Sequence, residues 1–301
     1  MTPAPSNVEV DVKNPERRGL GKGLYLIPSV FTAANIGMGF YAVMSAVRGF
    51  QLIGSGSETD LLHAANYLDN AAKAIGWAVL FDMLDGRIAR LTKTTTEIGV
   101  QLDSIADVVT FGLAPAVLVY VWGYGATLDE GSDLHNMAWF LSFMYLMCGG
   151  FRLARFNVQS SRPRILAEGS IKMDKKSFVG LPIPVAGGLI AAIIHFVPMP
   201  LVYYGPERGR IYSLLLMGLV GLLGVLMVST LRFSSFKTVG TSSRSMRTII
   251  LAVAIGTLIF LYSRHVLLIL VIGYILHGLL SRVFALFRRR PEVAEPTVQE
   301  N

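Results

Sequence analysis

Asp82, Asp85, Asp103 and Asp107 are the residues of this 301-residue chain whose types and spacing point most directly to chemistry. All four lie within or at the ends of otherwise apolar runs. On insertion scales a central Asp in a membrane helix costs about 2.5 to 3.5 kcal/mol, so four uncompensated ones would cost on the order of 10 kcal/mol, less near the interface. Asp82 and Asp85 are three apart and Asp103 and Asp107 four apart, so each pair projects from one face of a helix. The short connection 91–98 makes the two helices antiparallel neighbours, and all four carboxylates can converge near one membrane surface. Ion pairs with Arg87, Arg90 or Lys93 are one form of compensation. Divalent metal accounts for more of the pattern, because oxygen-only donors suit Mg²⁺ or Mn²⁺ rather than zinc. Four carboxylates balance two such ions, and a pair of metals about 3.5 to 4 Å apart is a device for phosphoryl transfer.

The wider pattern is Asp82-x-x-Asp85-Gly86-x-x-Ala89-Arg90, eight residues, then Gly99-x-x-x-Asp103-x-x-x-Asp107. It resembles the complete signature of the CDP-alcohol phosphotransferases. That resemblance implies that Asp82, Asp85 and Asp103 hold metal, while Asp107 is a metal ligand, the proton acceptor, or both. Gly86 and Gly99 lack side chains, which lets backbone or nucleotide come close to the helices, although ordinary helix packing uses glycine in the same way. Arg90 offers a planar fork to a CDP phosphate, and by resemblance Thr96 contacts the nucleotide. Pro28, Thr32 and Asn35 resemble an N-terminal element of the family that borders the nucleotide pocket; for Asn35 a helix-to-helix hydrogen bond is an equal alternative.

Three further segments resemble the phosphatidylserine synthase branch of that family: Phe111-Gly112-Leu113-Ala114-Pro115-Ala116, Phe151-Arg152-Leu153-Ala154-Arg155-Phe156-Asn157, and Gly180-Leu181-Pro182-Ile183-Pro184. They imply CDP-diacylglycerol as donor, L-serine as acceptor and a homodimer. Arg152 and Arg155 then bind the serine carboxylate or a phosphate, or else anchor the span end. Glycerol 3-phosphate, inositol phosphate and choline are the rival acceptors for the same core motif. A cation transporter, the rival from another class, would place its carboxylates near the bilayer midplane.

The elements that must position these residues are membrane helices. With 52% apolar and 16% charged residues and a mean hydropathy of +0.53, the chain departs from the soluble norm of about a quarter charged. Apolar stretches fall near 24–47, 70–91, 99–123, 136–156, 177–198, 210–231, 245–263 and 265–287. The expected fold is therefore an all-α polytopic bundle of about eight spans, with six as the alternative. Of the 27 Lys and Arg, 22 fall on the N-terminal tail, alternate connections and the C-terminal end. By the positive-inside rule both termini and the carboxylate end face the cytoplasm.

Residues 1–23 read as a basic cytoplasmic tail without a cleavable signal, 24–288 as the membrane domain, and 289–301 as a disordered tail. The net charge of +7 is explained by anchoring rather than by nucleic acid, since the cations lie between apolar runs. Cys148 is the only cysteine and sits in an apolar run, so it reads as packing. His195, His265 and His277 read as interface or packing residues.

Overall fold

The structure, a computed structural model, describes residues 18–92, 97–161, 177–234 and 246–287, with side chains described for the greater part of them. Helices dominate: α1 (Arg18–Ile53), α2 (Glu58–Thr92), α3 (Glu97–Asp107), α4 (Ala114–Gly123), α5 (Asp133–Ser161), α6 (Ile183–Phe196), α7 (Pro206–Val228) and α8 (Met246–Phe287). A π-helical turn, Val108–Leu113, joins α3 to α4 into one rod. Two three-residue strands, β1 (Ser177–Val179) and β2 (Arg232–Ser234), pair antiparallel in the register Phe178 to Phe233.

Five helical stretches among the described residues are long and apolar enough to cross a membrane: Val30–Ile53, Ile98–Gly123, Asp133–Val158, Pro206–Val228 and Leu261–Leu280. The shorter α6 is equally apolar. α2 fails the test of apolarity because Asp69, Lys73, Asp82, Asp85, Arg87 and Arg90 all lie on it. The apolar stretch expected at 70–91 thus lies on a helix whose charges carry half of the expected chemistry. The stretches expected at 245–263 and 265–287 are the two arms of α8, which meet at Tyr262 with a non-helical backbone (φ −132°, ψ 43°).

Helix α1 begins at Arg18, six residues before the expected span, and its 36 residues reach about 54 Å, well beyond a hydrocarbon core about 30 Å thick. The last turns of the expected basic tail are therefore helical; residues 1–17 and 288–301 lie outside the described residues.

α1 packs along α2 and also against α3, the π turn and α4, so one helix backs both carboxylate-bearing elements. Close approach is possible because Gly39 has no side chain: a methyl group there would lie 2.5 Å from Thr110 Oγ1. Thr110 is fully buried and donates to the Asn35 carbonyl at 3.0 Å, tying the π turn to α1. One carbonyl of the π turn also takes a partner from another helix. Tyr145 of α5 donates its hydroxyl to the Phe111 oxygen at 3.0 Å.

The first and third accessory segments meet where Gly112 approaches Ile183, and α5 packs on both just ahead of the second segment. A methyl at Gly112 would meet Leu146 at 2.9 Å, and one at Gly149 would meet Ile183 at 2.5 Å. Pro182 caps α6 and Pro184 occupies its first turn, where a missing N–H costs nothing. Gly180 has φ +82°, which glycine adopts freely, and its N–H donates to Leu231 at 2.7 Å.

One end of the bundle collects the α1–α2 turn, where Phe50 lies against Gly125, and the hydrogen bond from Trp122 Nε1 to Val197 O at 3.0 Å. Toward this end, 13 residues or about 20 Å along α2 from Asp82, buried Asp69 accepts from Lys73 at 2.8 Å. It also lies 2.5 Å from His195 Nδ1 and 3.9 Å from Arg264. His195 Nε2 in turn meets Ser263 at 2.9 Å, so this cluster fastens α2, α6 and the bend of α8 together. His195 serves an interhelical junction, as its sequence context implied, and His265 packs edge-to-face on Phe196 with centroids 5.2 Å apart.

Candidate active site

At the other end, Asp82 of α2 and Asp103 and Asp107 of α3 face one cleft, each offering a carboxylate oxygen within 4.8 Å of the other two. Asp107 is the last residue before the π turn and is only 9% exposed; Asp82 and Asp103 are partly buried. Asp85, one turn along α2, is 6% exposed and stands outside this group of three. Its Oδ2 accepts from Thr32 Oγ1 of α1 instead, while its charge still acts on Asp82 and Asp103. The expected convergence of four carboxylates is therefore three around one point, with the fourth held at its edge by α1.

Among the described residues every ion pair involves Asp69, so Arg87 neutralises none of the four. Asp107 Oδ1 is buried with no hydrogen-bond partner, and so is Oδ1 of Asn35 on α1, a residue only 1% exposed. Like charges held this close in a poorly solvated cleft need a cation, and three oxygens with an orphaned lone pair fit a hard divalent ion. The residues present fit Mg²⁺ or Mn²⁺.

The remaining expected residues are dispersed. Gly86 and Gly99 sit on α2 and α3 beside the carboxylates. Ala89 and Arg90 continue α2, but their side chains lie outside the described residues, as does the whole of Thr96. Arg152 and Arg155 part company. Arg152 is 9% exposed with its Nε unpartnered, and it is close enough for its charge to act on Asp107. Arg155 donates to the Val228 carbonyl at 3.3 Å, where the last carbonyls of α7 lack helical partners.

Sequence reasoning missed two contributors. Asn157 Nδ2 donates to Ser104 at 2.8 Å and so ties α5 to α3 between the two carboxylates. Tyr274 of α8 lies in the electrostatic surroundings of Arg152. Asn157 had a signal, since it closes the second accessory segment. Tyr274 had none, being a lone tyrosine in an apolar run.

A family model described as CDP-alcohol phosphatidyltransferase matches residues 25–205. A Helicobacter pylori protein named CDP-diacylglycerol--serine O-phosphatidyltransferase is 29% identical over 88% of this chain and 94% of its own length. Proteins of the same name from Saccharomyces cerevisiae (35% identical over 55% of this chain and 52% of its own) and Methanocaldococcus jannaschii (37% over 40% and 48%) match shorter segments.

Proposed function

Because the chain belongs to the CDP-alcohol phosphatidyltransferase family, we propose that it moves the phosphatidyl group of CDP-diacylglycerol onto the hydroxyl of L-serine, giving phosphatidylserine and CMP. The observation that carries this reading is the carboxylate trio, Asp82, Asp103 and Asp107, with Asp85 held beside it by Thr32. The shared name of its relatives supports serine.

The serine oxygen bonds to the phosphatidyl phosphorus as the bond from that phosphorus to the CMP oxygen breaks. Asp107 takes the hydroxyl proton, since its Oδ1 is committed to no partner within the protein. Asp82, Asp103 and Asp107, with Asp85 at the edge, would hold divalent metal, Mg²⁺ or Mn²⁺, with two ions balancing the charge of the four carboxylates. When bound, this supplies positive charge to the diphosphate oxygens and to departing CMP. Thr32 orients Asp85 through its hydrogen bond. Arg90, Thr96, Gly86, Ala89 and Gly99 border the nucleotide, a role that rests on the motif.

The experiment is an acceptor comparison. Purified enzyme with CDP-diacylglycerol and Mn²⁺ is expected to release CMP on addition of L-serine and form an aminophospholipid, with little product from glycerol 3-phosphate or inositol phosphate. Phosphatidylglycerophosphate without any serine product would overturn the acceptor and leave the family intact.

The eight-span arrangement, its place in the cytoplasmic membrane with both termini and the site facing the cytoplasm, and a homodimer rest on the cation distribution and the family resemblance. Cysteines placed at Ser57 and Asp133 are expected to react with an impermeant thiol reagent in intact cells, and one at Ser234 to react only after lysis. Labelling at Ser234 with none at Ser57 would reverse the orientation.

A further inference from the structure

At the end of the bundle away from the carboxylates, a groove of about 390 Å³ opens between α4, α6 and α7. Trp122, Val197, Leu215 and Leu219 line it together with Tyr204 and Tyr212, so its wall is almost wholly apolar. One side is fixed in place, since Trp122 Nε1 donates to the Val197 carbonyl at 3.0 Å and the indole is only 5% exposed. Because α7 is among the five most apolar spans, the groove faces hydrocarbon. Water gains no hydrogen bonds from such a wall, and the medium at hand to fill it is an acyl chain.

The face of α7 that lines the groove is graded along its length. Tyr212, Leu215 and Leu219 follow at helical spacing, and Arg208 lies one turn before Tyr212 on the same face. Arg208 is exposed, while Glu207 and Arg210 are turned from it by about 100° and 200°. Tyr204 packs edge-to-face on Tyr212 with centroids 5.7 Å apart and on Tyr203 at 5.6 Å, an aromatic rim of the kind found where bilayer meets water. Anchoring by the positive-inside rule does not account for Arg208, because it stands at the cation-poor end of the chain's spans. From Arg208 to Leu219 the face descends about 16 Å, from cation through phenol to aliphatic side chains. A phospholipid presents the complementary series, from phosphate through the ester-bearing glycerol to an acyl chain.

We propose that this groove binds a phospholipid of the leaflet opposite the carboxylates, with Arg208 on its phosphate and one acyl chain running between Trp122 and Leu219. The site lies apart from the reaction centre, so its occupant is a lipid that the reaction does not consume.

The test uses Trp122 as the probe. Trp77 and Trp139 are each 59% exposed, so Trp77→Phe with Trp139→Phe leaves the full-length protein with one buried tryptophan, at the groove. This protein in dodecyl maltoside is titrated with phosphatidylcholine brominated along its chains and, separately, with brominated dodecyl maltoside, which has a chain and no phosphate. The brominated lipid should quench Trp122 saturably at a low mole fraction, and the brominated detergent only as it replaces the bulk of the micelle. Arg208→Gln should weaken the apparent affinity for the lipid about fivefold, the scale of an exposed ion pair. Leu215→Phe with Leu219→Phe, which fills the groove, should abolish the saturable phase, and the blue emission of a buried Trp122 reports folding in each variant.

Comparison of the two quenchers needs neither set of groove substitutions, so the proposal is tested even if the filled variant does not fold. It is overturned if detergent and lipid quench alike, which would make the groove ordinary lipid-facing surface, or if Arg208→Gln leaves the affinity unchanged. It is equally overturned if Leu215→Cys copies, in a Cys148→Ala background, cross-link to one another in native membranes, since a second copy of the chain would then cover the groove.

Discussion

Asp82→Asn and Asp103→Asn are each expected to lower phosphatidyl transfer by about 10³-fold or more, some 4 kcal/mol of transition-state stabilisation. Both residues belong to the trio whose oxygens lie within 4.8 Å of one another, so each substitution removes charge and a donor from one point. Loss of folding would give the same kinetic result, and thermal stability separates the two. No cation of the described protein pairs with these carboxylates, so replacing one by an amide relieves repulsion. In chelator the variants should melt at the same temperature as wild type or higher, a trade of stability against activity common at functional sites. Added Mn²⁺ should raise the melting temperature of wild type much more than theirs. A variant within tenfold of wild-type turnover, or undiminished wild-type turnover in chelator, would remove metal from the mechanism.

Asp107→Asn should produce a different defect. Its carboxylate is the most buried of the trio, with one oxygen unpartnered. An amide keeps the shape but accepts no proton, so transfer should fall by about 10²-fold or more, the scale of losing a general base. CDP-diacylglycerol binding, followed by equilibrium dialysis of a labelled donor, should change by less than about threefold, because Asp82, Asp85 and Asp103 remain. Parallel loss of donor binding and transfer would make Asp107 chiefly a metal ligand.

Much of this site was legible because carboxylates in apolar helices are costly and their spacing of three and four leaves one arrangement of faces. What the spacing did not carry is which partner each carboxylate finds. Asp85 turns to Thr32, a contact made across 53 residues of chain by a residue whose motif pointed to the nucleotide pocket and not to a carboxylate partner. Apolarity located the stretch at 70–91 with the others, but its buried charges, which are the functional content, keep α2 out of the five most apolar spans. The bend at Tyr262 has no proline or glycine to announce it; Asp69, His195 and Ser263 hold that junction from three helices, a relation that exists only after packing. The accessory segments were visible as sequence, whereas the meeting of the first and third around Ile183, with α5 against both, became visible only in three dimensions.

The π turn at Val108–Leu113 bears on how this protein can change over generations. Such a turn holds one more residue than the α-helix it interrupts, and each residue accounts for about 100° of rotation. Upstream, Asp103 and Asp107 are phased to the cleft; downstream, Leu118 and Val119 are phased to the core. Loss of a single codon within the turn would restore an unbroken α-helix and swing one half by about 100° against the other, taking either the carboxylates from the cleft or α4 from its packing. Many substitutions there alter only a local contact, whereas a change of length alters both halves at once. What descent has to preserve across these six positions is first a count, and only then a composition.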